Sequence, residues 1–199
     1  MIASTGNSNA LLNIARWVER SAVNGPGERF VLWLQGCPLR CPGCWNPDTW
    51  DFAPRHLVSV DEVIRAIDAA SGIEGVTFTG GEPLAQAAAL IPLAAGIRER
   101  GLSLMVFSGY RLNQLVDPPA RELLSYADIL VDGQFIRARR DLSLPWRGSR
   151  NQRVHFLTSR YTADSMHQAG RLEVHIHADA SASVTGFPTT EFIDEMSRV

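Results

Sequence analysis

The sequence predicts an α/β domain built on parallel strands, and two patterns carry that prediction. Short apolar runs rich in β-branched and aromatic residues recur along the chain, and helical stretches with recognisable ends fall between them. That alternation is what βα units produce when each helix returns the chain to the start of the next parallel strand. Size agrees: 199 residues, 45% hydrophobic and 20% charged, suffice for one domain, residues 1–199, with a sizeable core. A disordered or collagen-like chain is excluded.

The turn signal Asn24-Gly25-Pro26-Gly27 precedes an apolar, aromatic run at 29–34, read as a strand leading straight into the first cysteine. Ser59 caps a helix through Ser71, with Glu62 as capping-box partner and Val63, Ile64 and Ile67 as apolar stripe. Residues 75–79 form a short buried strand. The Ala-rich stretch 84–100 is a helix stopped by Gly101 and kinked or divided at Pro92. A strand at 102–107, helical pieces at 112–116 and 120–125, and a strand at 129–131 continue the alternation. Beyond them come a loop at 137–150, a strand at 153–157, a hairpin pairing 172–177 with 181–185, and a small helix at 190–197; residues 158–171 carry no clear pattern. In parallel β/α architecture, functional groups gather at the strands' C-terminal ends.

Every one of the 19 basic residues is arginine, which excludes a Schiff-base lysine and a Walker-type phosphate lysine. The net charge of -2 and pI near 6.2 give no nucleic-acid footprint, since a groove binder of this size usually exceeds a pI of about 9. No apolar run approaches the roughly 18 residues of a membrane span, and Met1 to Ala10 are small and polar, unlike a signal peptide. The expectation is a cytoplasmic protein with neither nucleic acid nor membrane as partner.

The three cysteines fall within eight residues, Cys37-Pro38-Leu39-Arg40-Cys41-Pro42-Gly43-Cys44, a poor disulfide framework. Thiolates ligate soft or borderline metals, and these spacings let one short loop wrap a single centre. A structural zinc ion wants four protein ligands, and an electron-carrying cubane usually has four cysteines. With no fourth cysteine, a [4Fe–4S] cluster here leaves one iron open to a substrate or cofactor, which turns an electron carrier into a reaction centre. The alternative is a zinc knuckle of three Cys plus His56, whose spacing does not match the usual fingers. A second motif, Thr79-Gly80-Gly81-Glu82-Pro83, ends the 75–79 strand. Its glycines let a ligand approach the backbone, and Glu82 can accept hydrogen bonds from a bound ammonium; alone, such a string is more often a plain turn.

Together, Cys37-x-x-x-Cys41-x-x-Cys44 and Gly80-Gly81-Glu82-Pro83 resemble the radical S-adenosylmethionine (SAM) enzymes, and more closely the activating proteins of anaerobic ribonucleoside-triphosphate reductase. The resemblance runs from about residue 23 to 157. Further strings carry it: Cys41-Pro42-Gly43-Cys44-Trp45-Asn46, Thr49-Trp50, Ser108-Gly109-Tyr110, Leu130-Val131-Asp132-Gly133-Gln134-Phe135 and Trp146-Arg147-Gly148-Ser149-Arg150-Asn151-Gln152.

The resemblance implies an incomplete (β/α)6-type partial barrel with a small C-terminal extension, 158–199. It implies that Cys37, Cys41 and Cys44 hold a [4Fe–4S] cluster whose open iron is chelated by the methionyl amine and carboxylate of SAM. Gly80, Gly81 and Glu82 then receive the amine, while Gly43, Cys44 and Trp45 run beside the adenine. Many radical SAM enzymes have an aromatic residue just before the third cysteine, where this chain and its activating-protein relatives have Gly; Trp45 is either the replacement stacking surface or a core aromatic. Ser108, Asp132 and Gln134 lie after predicted strands and reach the SAM ribose or carboxylate, or else cap turns. Gln134 stands where some relatives have Lys, so a charge contact to the SAM carboxylate is absent or comes from arginine. The implied partners are a glycyl-radical protein and a reduced flavodoxin- or ferredoxin-type electron donor.

Residues 137 to 160 hold seven arginines against the single acid Asp141, a formal +6 that leaves -8 for the rest of the chain. Arginine forks suit carboxylates, phosphates or an acidic partner surface. His175 and His177 share a strand face, a weak metal-site pattern without a third ligand. Three functions follow from these features. The first is an activating enzyme acting on a partner protein's glycine backbone. The second is a radical SAM enzyme for a small metabolite or peptide, with the extension covering the site. The third is a non-catalytic metal-binding module.

Overall fold

A computed structural model describes residues 11–168, 172–176, 182–186 and Glu195. Along the chain it runs β1 (Leu11–Ser21), β2 (Arg29–Leu34), β3 (His56–Ser59), α1 (Val60–Ala69), β4 (Gly75–Gly80), α2 (Ala87–Glu99), β5 (Ser103–Phe107), α3 (Pro118–Ser125), β6 (Ile129–Asp132), β7 (Arg153–Phe156), β8 (Leu172–Ile176) and β9 (Ala182–Gly186). The first seven strands share one sheet in the order β3-β1-β2-β4-β5-β6-β7, and β8 and β9 pair separately. The four central strands are parallel and follow one another in sequence order. Antiparallel strands extend the sheet on both sides.

Side-chain alternation on the central strands explains the two-sided core. Phe30, Leu32, Leu34, Val76, Phe78, Leu104, Val106 and Leu130 face the helices. Met105, Ile129 and Val131 face the other way, beneath Trp146 and Tyr161. A parallel sheet buried on both faces reads as near-continuous apolar runs, as 29–34 does. Ser59 Oγ accepts from Glu62 N at 3.2 Å, the expected cap of α1, with Val63 and Ile67 buried beneath it.

Several boundaries differ from expectation. β1 and β3 carry no sequence-level signal recognised above. α2 starts three residues later than predicted because Glu82 caps a 3-10 turn at Pro83–Gln86 first, and it runs through Pro92 undivided. The expected helical piece at 112–116 is a 3-10 turn, Leu112–Gln114. The hairpin is β8 and β9. The expected helix at 190–197, apart from Glu195, lies outside the described residues, as does His177.

Because β2, β4, β5 and β6 are parallel, the sheet has two chemically distinct ends. At the N-terminal end Arg29 is fully buried. Its guanidinium donates to Thr77 Oγ1 (2.7 Å), Ser103 Oγ (2.9 Å), Pro26 O (3.1 Å) and Val76 O (2.6 Å). Burial pulls it down to about 10. The C-terminal extension docks at this end. Tyr161 Oη donates to Ser103 Oγ (2.8 Å) and meets Glu74. Ala22 N donates to Glu173 Oε1 (2.7 Å), and Asn24 Nδ2 donates to Thr185 Oγ1 (2.9 Å). The described part of the extension is therefore fastened at the N-terminal end of the strands.

Candidate active site

The cysteine loop leaves the C-terminal end of β2 and is tied at its stem. Gly36 N donates to Thr49 O (2.8 Å) and Cys37 N to Trp50 O (3.1 Å), so the Thr49-Trp50 string closes the loop. Gln35, 4% exposed, donates from Nε2 to Asp51 O at 2.7 Å. Gly36 adopts φ 99, and a Cβ there would stand 2.7 Å from the Phe52 ring. Inside the loop Arg40 (φ 43) and Gly43 (φ 80) take left-handed conformations that reverse the chain between cysteines. Sequence reasoning passed over Gln35 and Gly36; a glycine two residues beyond a buried strand was the signal available.

Backbone N–H groups converge on all three sulfurs. Those of Leu39 and Arg40 point at Cys37 Sγ, that of Phe135 at Cys41 Sγ, and Asn46 N lies 3.4 Å from Cys44 Sγ. Burial pushes the Cys37 and Cys41 thiols up, those N–H groups pull partly the other way, and the Glu82 carboxylate at Cys37 and the neighbouring thiolates at both push them further up. These N–H groups are the donors that would hold metal-bound thiolates, and such bonds also tune a cluster's potential. Among the described residues no three His, Cys, Asp or Glu side chains gather around one point as a single ion would need. A cubane spreads its thiolates wider, since each binds a different iron. His56, the alternative zinc ligand, opens β3 in an exposed position. The donor set thus fits a cluster.

Gly80, Gly81 and Glu82 sit against the loop's stem. Gly81 N donates to Leu34 O (2.8 Å) and Glu82 N to Gly36 O (2.9 Å). A Cβ on Gly80 would stand 2.7 Å from Leu34 N, and one on Gly81 2.3 Å from Gly36 O. The close approach these glycines permit is therefore to the chain's own backbone. Glu82 is 1% exposed. It accepts from Leu84 N (3.0 Å), Gly109 N (2.8 Å) and the Ser108 hydroxyl, yet burial pushes its carboxyl up to about 7. Ser108 is thus brought to Glu82, and its Oγ also accepts from Tyr110 N at 3.1 Å. Gly109 passes beneath Leu39 of the loop, where a Cβ would meet Leu39 Cδ1 at 2.2 Å.

Asp132, 3% exposed, anchors the next turn. Its Oδ2 accepts from Leu112 N (2.7 Å) and lies 2.9 Å from His155 Nε2, a neighbour that sequence reasoning did not single out. Gln134 is exposed, and its carbonyl accepts from Asn151 Nδ2 at 2.7 Å. Gln152 donates to Gly133 O (3.0 Å) and accepts from Gly148 N (2.9 Å), which explains the Gly148-Ser149-Arg150-Asn151-Gln152 string as a buckle across the end of β6. Trp45 carries the Arg140 guanidinium 4.9 Å above its ring, so one of its faces is already taken. His175 lies on β8 near Glu173, within the extension.

A family model described as "4Fe-4S single cluster domain" matches residues 23–155. The anaerobic ribonucleoside-triphosphate reductase-activating protein of Haemophilus influenzae is 34% identical over 152 residues, covering 72% of this chain and 97% of that protein. The chain belongs to the anaerobic ribonucleoside-triphosphate reductase-activating protein family. Other activating proteins of the family agree: that of Escherichia coli K12 is 34% identical over 154 residues, 73% of this chain and 99% of that one. That of Enterobacteria phage T4 is 33% identical over 138 residues, 66% and 86% respectively. A crystal structure of QueE from Escherichia coli aligns over 50% of this chain and 53% of that one, with TM-score 0.43 and 20% identity. The match to the 4Fe-4S single cluster domain ends at residue 155, before the extension begins. Among the described residues no helix is long and apolar enough to cross a membrane.

Proposed function

We propose that this protein is a radical SAM enzyme that installs a glycyl radical on anaerobic ribonucleotide reductase. The observation that carries the reading is a three-thiol loop, with N–H donors at every sulfur, seated beside the buried Glu82 at the C-terminal end of a parallel sheet. Cys37, Cys41 and Cys44 hold a [4Fe–4S] cluster and leave one iron for SAM. Bound there, the cluster would supply the one electron for reductive cleavage of the SAM C5′–S bond, giving methionine and the 5′-deoxyadenosyl radical that would take a glycine Cα hydrogen.

The chain's own residues bind and orient. Glu82 offers its remaining lone pairs to the methionyl ammonium beside Cys37, and Ser108 and Gly109 fix that carboxyl in place. Gly80 and Gly81 let the strand end approach the loop, which holds amine site and thiolates in one rigid unit. Gly43, Cys44 and the free face of Trp45 border the adenine, while Asp132 and Gln134 border the ribose and carboxylate. The open sheet is a shortened radical SAM half-barrel within one domain. Three free thiols and an oxygen-labile cluster suit the cytoplasm, where thiols stay reduced, and a flavodoxin- or ferredoxin-type carrier is the electron donor.

The test is anaerobic reconstitution with iron and sulfide, then dithionite and SAM, quantifying 5′-deoxyadenosine and methionine with and without anaerobic ribonucleotide reductase. The expected result is product that rises with the reductase and a glycyl radical by electron paramagnetic resonance. Product indifferent to the reductase would instead support a small-molecule or peptide substrate, and tight zinc binding without a cluster would overturn both.

A further inference from the structure

The arginine-rich segment is physically joined to the cysteine loop. Residues 136–141 fold against 148–150: Arg150 N donates to Arg139 O (2.9 Å), Asp141 N to Gly148 O (3.0 Å) and Ile136 N to Ser149 Oγ (3.2 Å). The Arg137 stem lies over Gly43, where an added Cβ would stand 3.5 Å from Arg137 Cδ, and Arg140 stacks on Trp45. Two arginines thus bracket Cys44. Arg137, Arg139 and Arg150 are exposed. Arg150 pairs with Asp141 at 2.8 Å, and no carboxylate among the described residues pairs with Arg137 or Arg139.

Which end of the loop they meet matters. Glu82 and Gly109 meet it at Gly36 and Leu39, whereas the arginines meet it at Gly43 and Trp45. A molecule seated on the arginines therefore approaches the thiolates from the end away from the amine-binding carboxyl. A protein presenting a glycine must reach SAM itself, whereas an electron needs only a short path to one thiolate, and Cys44 lies between the two residues that these arginines cover.

We infer that the turn at 137–140, with Arg150, is the docking surface for an acidic one-electron carrier protein. The inference rests on the cluster proposed above and names its route of reduction. One electron passes from the reduced carrier, which is oxidised, to the cysteine-bound cluster, which is reduced; no bond or proton changes hands. Redox encounters bury little surface and are steered by charge. Arg137, Arg139, Arg140 and Arg150 carry a formal +4 against -6 on the rest of the chain, so an acidic carrier is steered toward this turn.

The test uses the reconstituted protein with two acidic probes, a plant-type [2Fe–2S] ferredoxin and a flavodoxin. In calorimetry at low salt, Arg139→Glu weakens binding of the carrier about tenfold and Arg137→Glu/Arg139→Glu further, a loss that shrinks as ionic strength rises to about 0.5 M. SAM cleavage driven by dithionite is unchanged in Arg139→Glu, while cleavage driven by the reduced carrier falls with binding. Wild-type protein that fails to cleave SAM with dithionite removes the cluster reading and this inference with it. With dithionite cleavage intact, the inference alone is overturned if neither carrier binds wild type or if the double variant binds and accepts electrons normally. It is also overturned if charge reversal abolishes binding of the reductase but not of the carriers.

Discussion

Replacing Arg29 with methionine removes a guanidinium buried at the N-terminal end of the parallel strands, and its effect can be worked from the contacts. Methionine is apolar and of similar reach, so the core keeps most of its volume. Thr77, Ser103 and the Pro26 carbonyl lose a charged donor, and Glu74 loses the nearby positive charge. Removing one member of a buried ionic network costs about 3–5 kcal/mol, whereas losing an exposed ion pair such as Arg20–Glu28 costs about 0–1 kcal/mol. For a chain of this length the larger loss lowers the melting midpoint by roughly 6–20 °C. Urea unfolding followed by circular dichroism measures the free energy, and a thermal scan measures the midpoint. Since the network lies at the far end of the sheet from the cysteines, SAM cleavage per folded molecule stays at the wild-type rate. A loss under about 1 kcal/mol would refute the assignment of stability to this network, and a slowed reaction in folded protein would refute the separation of the two ends.

The Glu82 carboxyl at about 7 has two opposite consequences with pH. SAM's ammonium needs the carboxylate, so equilibrium dialysis should show binding weakening below about pH 7, and Glu82→Gln should flatten that profile; a flat wild-type profile counts against the amine-site role. Stability runs the other way: its carboxyl is raised above the ordinary 4.5, so its contribution is fullest below 4.5 and is lost as pH rises through about 7. That span is worth about 3 kcal/mol at most. Gly81→Ala drives a Cβ to 2.3 Å from Gly36 O and should destabilise by more than about 2 kcal/mol, whereas Gly101→Ala meets nothing within 4 Å and costs only the strain of φ +71, about 1 kcal/mol. Equal losses in parallel urea titrations would sink that argument. Cys37→Ala should abolish cluster-dependent SAM cleavage with the circular dichroism spectrum unchanged; retained cleavage would refute the ligand assignment.

The parallel centre was readable because its strands are buried on both faces and sit between helices with ordinary stop signals. Residues 29–34 coincide with β2, and Ser59 caps α1 as its capping-box pattern requires. β1 was not readable because a register shift between Ile14 and Arg16 breaks its alternation and leaves Arg16, Glu19 and Arg20 among its apolar residues. β3 is four residues long with His56 and Leu57 exposed, too short for any period to show. At the site, the cysteine spacing and Gly80-Gly81-Glu82 stood out because they are local. His155 beside Asp132, the Phe135 N–H at Cys41 and Arg140 on Trp45 did not, because each joins residues separated by 23 or more positions or brings a backbone atom to a side chain. Arg29 was hidden for a different reason: a charged residue opening a strand reads as solvent-facing, and only the fold shows the hydroxyls and carbonyls that surround it.

The described extension is fastened beside Ser21, Asn24 and Ser103, so it leaves the mouth above Glu82 and the cysteines without a cover of its own. Where the described residues leave the mouth open, a seated reductase closes it. A loosely seated reductase would let deoxyadenosyl radicals escape into side reactions, and a well-seated one would convert nearly every cleavage into a stable radical. The ratio of 5′-deoxyadenosine formed to glycyl radicals installed is therefore a direct gauge of how well two proteins fit together, readable without a structure of the pair.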